Sequence, residues 1–146
     1  MLSRVAERVF WMARYLERAE STARIANTFS QIRMDLPRGS ELPWQTLLEI
    51  FGADGNFDGG KRSVSEHAVL NFMLARVSNP NSIRFSVTAA RENARTARDV
   101  LPEEVWELVN ELHLFTKEYA EKSVARRNRF DFLIQIVTRC QTLSGL

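Results

Sequence analysis

Apolar residues recur along this chain at intervals of three and four, with no stretch of strand-like alternation, so the pattern predicts helices throughout. The first runs from about Ser3, read as its N-cap, to about Met34, and ends before Pro37-Arg38-Gly39. At roughly 100° per residue, Val5, Val9, Leu16 and Ala23 make one stripe, while Trp11, Tyr15, Ile25 and Phe29 lie roughly opposite. A helix apolar on two sides is expected between two partners, as the centre of a bundle. The anomaly is that Glu20 and Asn27 fall inside the first stripe, with Glu17 and Arg24 at its edge. A carboxylate in such a place must be paired, solvated by a cavity, or at work.

Further elements follow from breakers and caps. Ser40 to Gly52 holds a short helix started by Ser40-Glu41-Leu42-Pro43, burying Trp44, Leu47, Leu48 and Phe51. A surface loop expected to be mobile spans about 53–64, rich in glycine, aspartate and asparagine. Its acids lack the spacing and terminal glutamate of a calcium loop. Ser65 to about Ser78 is a third helix, and Asn79-Pro80-Asn81-Ser82 breaks it and caps a fourth. The fourth carries Ile83, Val87, Ala90, Ala94, Ala97 and Leu101 at heptad spacing, small enough at its middle for close approach to a neighbour. Pro102-Glu103-Glu104 opens a fifth helix with the stripe Val105, Leu108, Leu112, Phe115 and Tyr119, antiparallel to the fourth. After a basic turn holding Arg126, Arg127 and Arg129, a last helix presents Phe130, Leu133, Val137 and Cys140 and stops near Gly145. The expected fold is all-α: one domain over residues 1–146, a helical bundle of about five to six helices around a long central N-terminal helix.

Composition changes this picture little. At 146 residues with 45% hydrophobic and 26% charged content, the chain can bury a core without disulfides or metal. Its apolar runs are too short for a membrane span or a signal peptide, which makes the cytoplasm the expected compartment. A net charge of +2 does not mark a polyanion binder, and Glu7, Glu17, Glu20 and Glu92 interrupt the arginines, so no nucleic-acid face is expected. Arginine nevertheless dominates the bases: of 20 Lys and Arg, only Lys61, Lys117 and Lys122 are lysine. Arginine is the residue suited to bidentate pairing with carboxylate or phosphate, although codon bias produces the same excess. The single cysteine, Cys140, is expected to be a buried, inert thiol.

Two polar clusters stand out. On the first helix, Arg14, Glu17, Arg18, Glu20 and Arg24 are neighbours at three and four residues, compatible with a structural buried Glu/Arg network, with a ligand or catalytic site, or with plain surface pairing. On the fourth, Arg91, Arg95 and Arg98, with Glu92 and Asn93 between them, line one side of the helix. That row suits a carboxylate or phosphate clamp, or neutralisation of Glu17 and Glu20 across a helix interface. Neither His67 nor His113 follows a glutamate by three residues, so the carboxylate-bridged metal pattern is absent. No phosphate loop, nucleophile motif or zinc spacing occurs, and no metal or other cofactor is expected.

The segments Met1-Leu2-Ser3-Arg4-Val5-Ala6-Glu7-Arg8, Trp11-Met12-Ala13-Arg14-Tyr15-Leu16-Glu17-Arg18-Ala19-Glu20 and Thr22-Ala23-Arg24 resemble the N-terminus of the bacterial alpha-E family. The likeness extends through Asn79-Pro80-Asn81-Ser82-Ile83, Ala89-Ala90-Arg91-Glu92-Asn93-Ala94-Arg95 and Leu101-Pro102 to cover essentially the whole chain. The resemblance implies a helical domain of unknown function, encoded beside a circularly permuted ATP-grasp protein and a transglutaminase-like protease. It also implies a setting of ATP-dependent peptide or amide-bond formation. Glu17, Arg18, Glu20, Arg24, Arg91, Glu92, Asn93 and Arg95 are the positions that match the family's glutamate and arginine signature. Relatives are about twice as long, with a second copy of the first motif. The chain therefore corresponds to the first half of a two-repeat architecture, and a homo-oligomer is expected to cover the apolar faces that a missing half would leave.

The leading expectation is an accessory module that binds a partner protein, an ATP-grasp ligase, through an Arg/Glu-lined surface, rather than an enzyme on its own. The alternative is an enzyme or substrate-binding subunit in which Glu17 or Glu20 acts as base and Arg91 or Arg95 holds a carboxylate or phosphate. A third reading makes the charges a device that sets helix register.

Overall fold

The computed structural model describes residues 2–57 and 64–146. Helix α1 (Leu2–Asp35) is the spine, 34 residues long. It is followed by α2 (Gln45–Ile50), a 3₁₀ turn at Asp54–Asn56, α3 (Glu66–Leu70) and a π turn at Asn71–Ala75. Helices α4 (Ile83–Thr96), α5 (Glu103–Tyr119) and α6 (Arg126–Ser144) complete the bundle, with a 3₁₀ turn at Lys122–Val124 before α6. The described residues contain no strand, and the all-α bundle expected from the periodicity is the observed architecture.

The central position of α1 is as expected. It packs extensively against both α4 and α6. Tyr15 meets Phe85 edge-on at 6.4 Å between centroids, and Arg18 donates to the Pro80 carbonyl, so α4 runs antiparallel along the N-terminal half of α1. At the other end, Phe130 of α6 lines a depression with Gln31, Met34 and Asp35, while Glu20 is electrostatically coupled to Cys140, which sets α6 antiparallel to the C-terminal half. Helix α5 is antiparallel to α4, because Arg91 bonds to Asn110 and Arg98 to Glu103. Phe115 of α5 stacks on Phe132 of α6 at 5.5 Å and joins those two helices.

Local rules explain the boundaries. The Ser65 and Ser82 hydroxyls accept from the Ala68 and Phe85 amides and satisfy orphan donors at the starts of α3 and α4. Helix α2 stops at Gly52, whose φ of +63° is open to glycine without strain. There the Gly52 amide donates to the Glu49 carbonyl and the Ala53 amide to the Leu48 carbonyl, the paired bonds of a Schellman stop. Asn79 is buried: its side-chain amide donates to the Phe72 carbonyl and its Oδ1 accepts from the Asn81 amide, which ties the π turn to the start of α4.

Several sequence expectations are corrected. Ser3 lies inside α1, which already includes Leu2, so Ser3 is not its N-cap. The short helix begins at Gln45 rather than near Ser40, and the third gives way to the π turn after Leu70. Helix α4 ends at Thr96, five residues short of Leu101. The stripe expected on α5 is displaced: Val105, Trp106, Val109, Leu112 and Thr116 are buried, whereas Tyr119 is exposed. Helix α6 buries Phe132, Leu133, Ile136, Cys140 and Leu143. Arg126 to Arg129 form its first turn rather than a loop. The Trp11 ring stands in solvent instead of anchoring the core, although Trp44 is buried as expected. Of the surface loop expected over 53–64, residues 58–63 lie outside the described residues, and Ala53 is buried rather than exposed.

Candidate functional site

The two sequence-predicted clusters occupy different surfaces. On α1, Arg14 Nη1 and Glu17 Oε2 form an ion pair at 2.9 Å, with both side chains more than half exposed. They border a cleft of about 290 Å³ with Arg18, Ser21, Thr22, Ile25, Phe51 and Asn81. Arg18 is held in place by its 3.0 Å bond to the Pro80 carbonyl and by its guanidinium lying over the Tyr15 ring at 5.6 Å. Glu20 is turned toward α6. It pairs with Arg24 at 2.9 Å, and its side chain is 23% exposed against 64% for Glu17. The acid inside the apolar stripe is therefore paired at the edge of a helix interface.

The same stretch of α6 contains Cys140, whose thiol is pushed up to about 12 by burial and then by the Glu20 charge. It is fully protonated at neutral pH and no nucleophile, as expected from its surroundings.

The second cluster lies where α4 meets α5. Arg91 Nε donates to Asn110 Oδ1 at 3.1 Å, and its guanidinium lies 5.4 Å from the Trp106 ring centroid. Arg98 lies over the same ring at 4.7 Å and pairs with Glu103 at 3.5 Å. Arg95 and Glu92 form a close two-pronged pair on the outside of α4. The Glu92 carboxyl is held below its ordinary value by the Arg95 bonds, with burial opposing and the charges of Arg95, Arg91 and Arg8 helping. Asn93 is spent locally: its side-chain amide donates to the Ala89 carbonyl one turn back. Among the described residues no hydrogen bond or ion pair joins the α1 cluster to the α4 cluster, so Glu17 and Glu20 are not neutralised by the fourth-helix arginines. No three of the described histidine, cysteine, aspartate and glutamate residues converge as ligands for a metal ion.

The most enclosed charge was not among the expected site residues. Arg129 is 3% exposed and donates to Glu66 Oε1 at 2.9 Å and to the Val124 carbonyl at 2.7 Å, with its guanidinium 5.8 Å from the Trp44 ring. Arg126 approaches the same carboxylate from outside with two bonds of 3.1 and 3.2 Å. Burial pushes the Glu66 carboxyl up, yet the bonds and charges of the two arginines together outweigh burial and leave it below its ordinary value. Burial lowers Arg129 as well, but a guanidinium stays charged in spite of it, and the pair is ionic. Three arginines in the first turn of α6, Arg126, Arg127 and Arg129, oppose its dipole, and Glu66, in the first turn of α3, offsets two of them from across the fold. Sixty residues separate the partners, so no local spacing announces this site; the available signal was the pair of arginines three apart after a short loop.

A family model for Alpha-E, described as a predicted alpha-helical domain with a conserved ER motif, matches residues 1–146. The chain belongs to the Alpha-E family. No curated protein and no solved structure matches it. In this Alpha-E chain the Glu-Arg dipeptide occurs at Glu7-Arg8 and Glu17-Arg18, both on α1. Glu17 and Arg18 border the cleft, whereas the charge of Arg8 reaches Glu92 on α4. Among the described residues no helix is long and apolar enough to cross a membrane.

Proposed function

We propose that this Alpha-E chain is an accessory module that binds a partner protein through the arginine surface at the α4–α5 edge. The carrying observation is that Arg91 and Arg98 both stack on Trp106, at 5.4 and 4.7 Å, so two long side chains are ordered before any partner arrives. Ordering in advance lowers the entropic cost of association, and arginine held on an aromatic ring is the composition that concentrates binding energy at interfaces. Arg8 and Arg95 beside Glu92, and Arg98 beside Glu103, offer further guanidinium groups there, which favours an acidic patch on the partner. The partner implied by the alpha-E resemblance is the ATP-grasp ligase, with a transglutaminase-like protein as a second member, in a setting of peptide or amide-bond formation.

The enzymatic alternative requires Glu17 or Glu20 to act on a ligand held by Arg91 or Arg95. The separation of the two clusters gives that alternative no support, and Glu17 and Glu20 are each engaged by an arginine of their own helix. The test is binding of the purified chain to the purified ATP-grasp protein of the same organism, measured by calorimetry at two salt concentrations. The expected result is salt-sensitive binding weakened at least about tenfold by the double reversal Arg95→Glu/Arg98→Glu, with the variant's folding checked by circular dichroism. Equal affinity of the two forms, or no binding by either, overturns the reading.

A further inference from the structure

Four of the large exposed apolar side chains lie along one side of the molecule, the outward face of α1 and the α2 end beside it: Phe10 at 54%, Trp11 at 43%, Ile32 at 47% and Ile50 at 54% exposure. The row that contains them has a regular spacing. Trp11, Arg14, Arg18, Ser21, Ile25, Thr28 and Ile32 follow one another at intervals of three and four, and all are exposed or half-buried. That spacing is what a helix presents to another helix, yet the α4 and α6 contacts of α1 use its other sides. Two shallow depressions run along this row and share Ile25. One carries Arg14, Glu17, Arg18 and Ser21; the other is bordered by Arg24, Phe29, Ile32 and Ile50.

The face is arranged nearly symmetrically about its midpoint. Phe10 and Trp11 lie ten or eleven residues before Ser21, and Ile32 lies eleven after it. Between the apolar ends stand charges of both signs, Arg14, Glu17 and Arg18 on one side of Ser21 and Arg24 on the other. We propose that the occupant of this face is a second copy of the chain, its α1 running antiparallel across the first with the two-fold axis near Ser21. A surface related to itself by such an axis meets its own counterpart, so residues equally far before and after the axis are brought together. Phe10 and Trp11 then cover Ile32 and Ile50 of the other copy, and Glu17, which shares a flank of α1 with Arg24, comes within one residue of the other copy's Arg24, while Arg18, as far from the axis as Arg24, lies on the opposite flank and is tied to its own Pro80 carbonyl. The small Ser21 side chain allows close approach at the crossing, and a net charge of only +2 leaves little repulsion between copies. This surface is separate from the Trp106 arginines, so the inference stands apart from the partner-binding proposal.

A residue on a two-fold axis meets itself, which makes the arrangement directly testable. Ser21→Cys adds an exposed thiol, while the native Cys140 is buried and unreactive. Under mild oxidation Ser21→Cys is expected to give a disulfide-linked dimer at least about tenfold faster than Thr138→Cys, an exposed control on α6, because bridging requires the two Cα atoms to come within about 7 Å. Light scattering of the unmodified chain should give twice the monomer mass, and Ile32→Glu, checked for native helicity by circular dichroism, should halve it. A monomer mass at about 100 µM overturns the proposal. So does a dimer that Ser21→Cys links no faster than the control, or one that Ile32→Glu leaves intact.

Discussion

At the scale of single residues, the decisive contrast is between Glu17, which is conspicuous in sequence, and Glu66, which is not. Glu17 pairs with a helical neighbour in solvent, an arrangement of small energetic worth. Glu66 holds Arg129, a guanidinium with 3% exposure that would otherwise be an uncompensated buried charge. Glu66→Gln is expected to destabilise the fold by about 2 to 3 kcal/mol, below the cost of breaking a fully enclosed pair because the Glu66 side chain keeps 28% exposure. Arg126→Gln, at a side chain 63% exposed, should cost less than about 1 kcal/mol. Urea unfolding of the two variants checks the order, and equal losses would contradict it. The Arg14–Glu17 and Glu20–Arg24 pairs were legible because each lies within α1, at three or four residues. The Glu66–Arg129 pair was illegible because only the folded path of the chain brings α3 to the start of α6.

At the scale of elements, the cap before α4 and the stop at Gly52 were read correctly, whereas the starts of α1 and α2 and the end of α4 were misplaced. Ser82 is the clearest case: its hydroxyl accepts from the Phe85 amide and donates to the Arg76 carbonyl at 2.7 Å, and the residue is fully enclosed. Ser82→Ala is expected to cost about 1 to 2 kcal/mol, through the lost cap and a stranded carbonyl. Ser3→Ala, at an exposed position within α1, should stay within about 0.5 kcal/mol, and a chemical denaturation series separates the two. Helix faces were harder to read because α5 meets α4 through Trp106 and α6 through Phe115, so apolar residues surround much of its circumference. Two rows at three-four spacing then compete, and the sequence does not mark that Val109 and Thr116 turn inward while Tyr119 turns out. On α1 the same ambiguity hid the exposure of Trp11, since an apolar row facing solvent has the spacing of one facing a core.

At the scale of the whole molecule, His113 and Glu66, with a smaller part from the solvent-screened Glu92, set how stability responds to acid. His113 lies between α4 and α5, and burial first, then the charges of Arg91, Lys117 and Arg84, hold it below its ordinary value of 6.5. A depressed folded value means that the unfolded chain binds the proton more readily. The stability His113 contributes is therefore complete above 6.5 and is lost as pH falls toward the folded value. Glu66 acts in the same direction at lower pH: its contribution is complete above the ordinary value of 4.5 and disappears as pH drops through its depressed folded value. Unfolding midpoints should therefore decline in two steps on acidification, the upper removed by His113→Gln and the lower reduced by Glu66→Gln; a single step unaffected by His113→Gln would contradict the assignment.

The placement of α1 between α4 and α6 also governs how the chain reaches its fold. Phe130 lies by Met34, so α1 is finished against α6, far along the chain. A bundle whose helices each pack on their sequence neighbours assembles through short loops, but here the spine waits for segments far along the chain, and the entropy of closing those long loops is spent before their contacts are gained. An all-helical composition usually goes with fast assembly. In this molecule the order of its partners along the chain works against that speed and leaves the α6-facing side of α1 uncovered until α6 has been made.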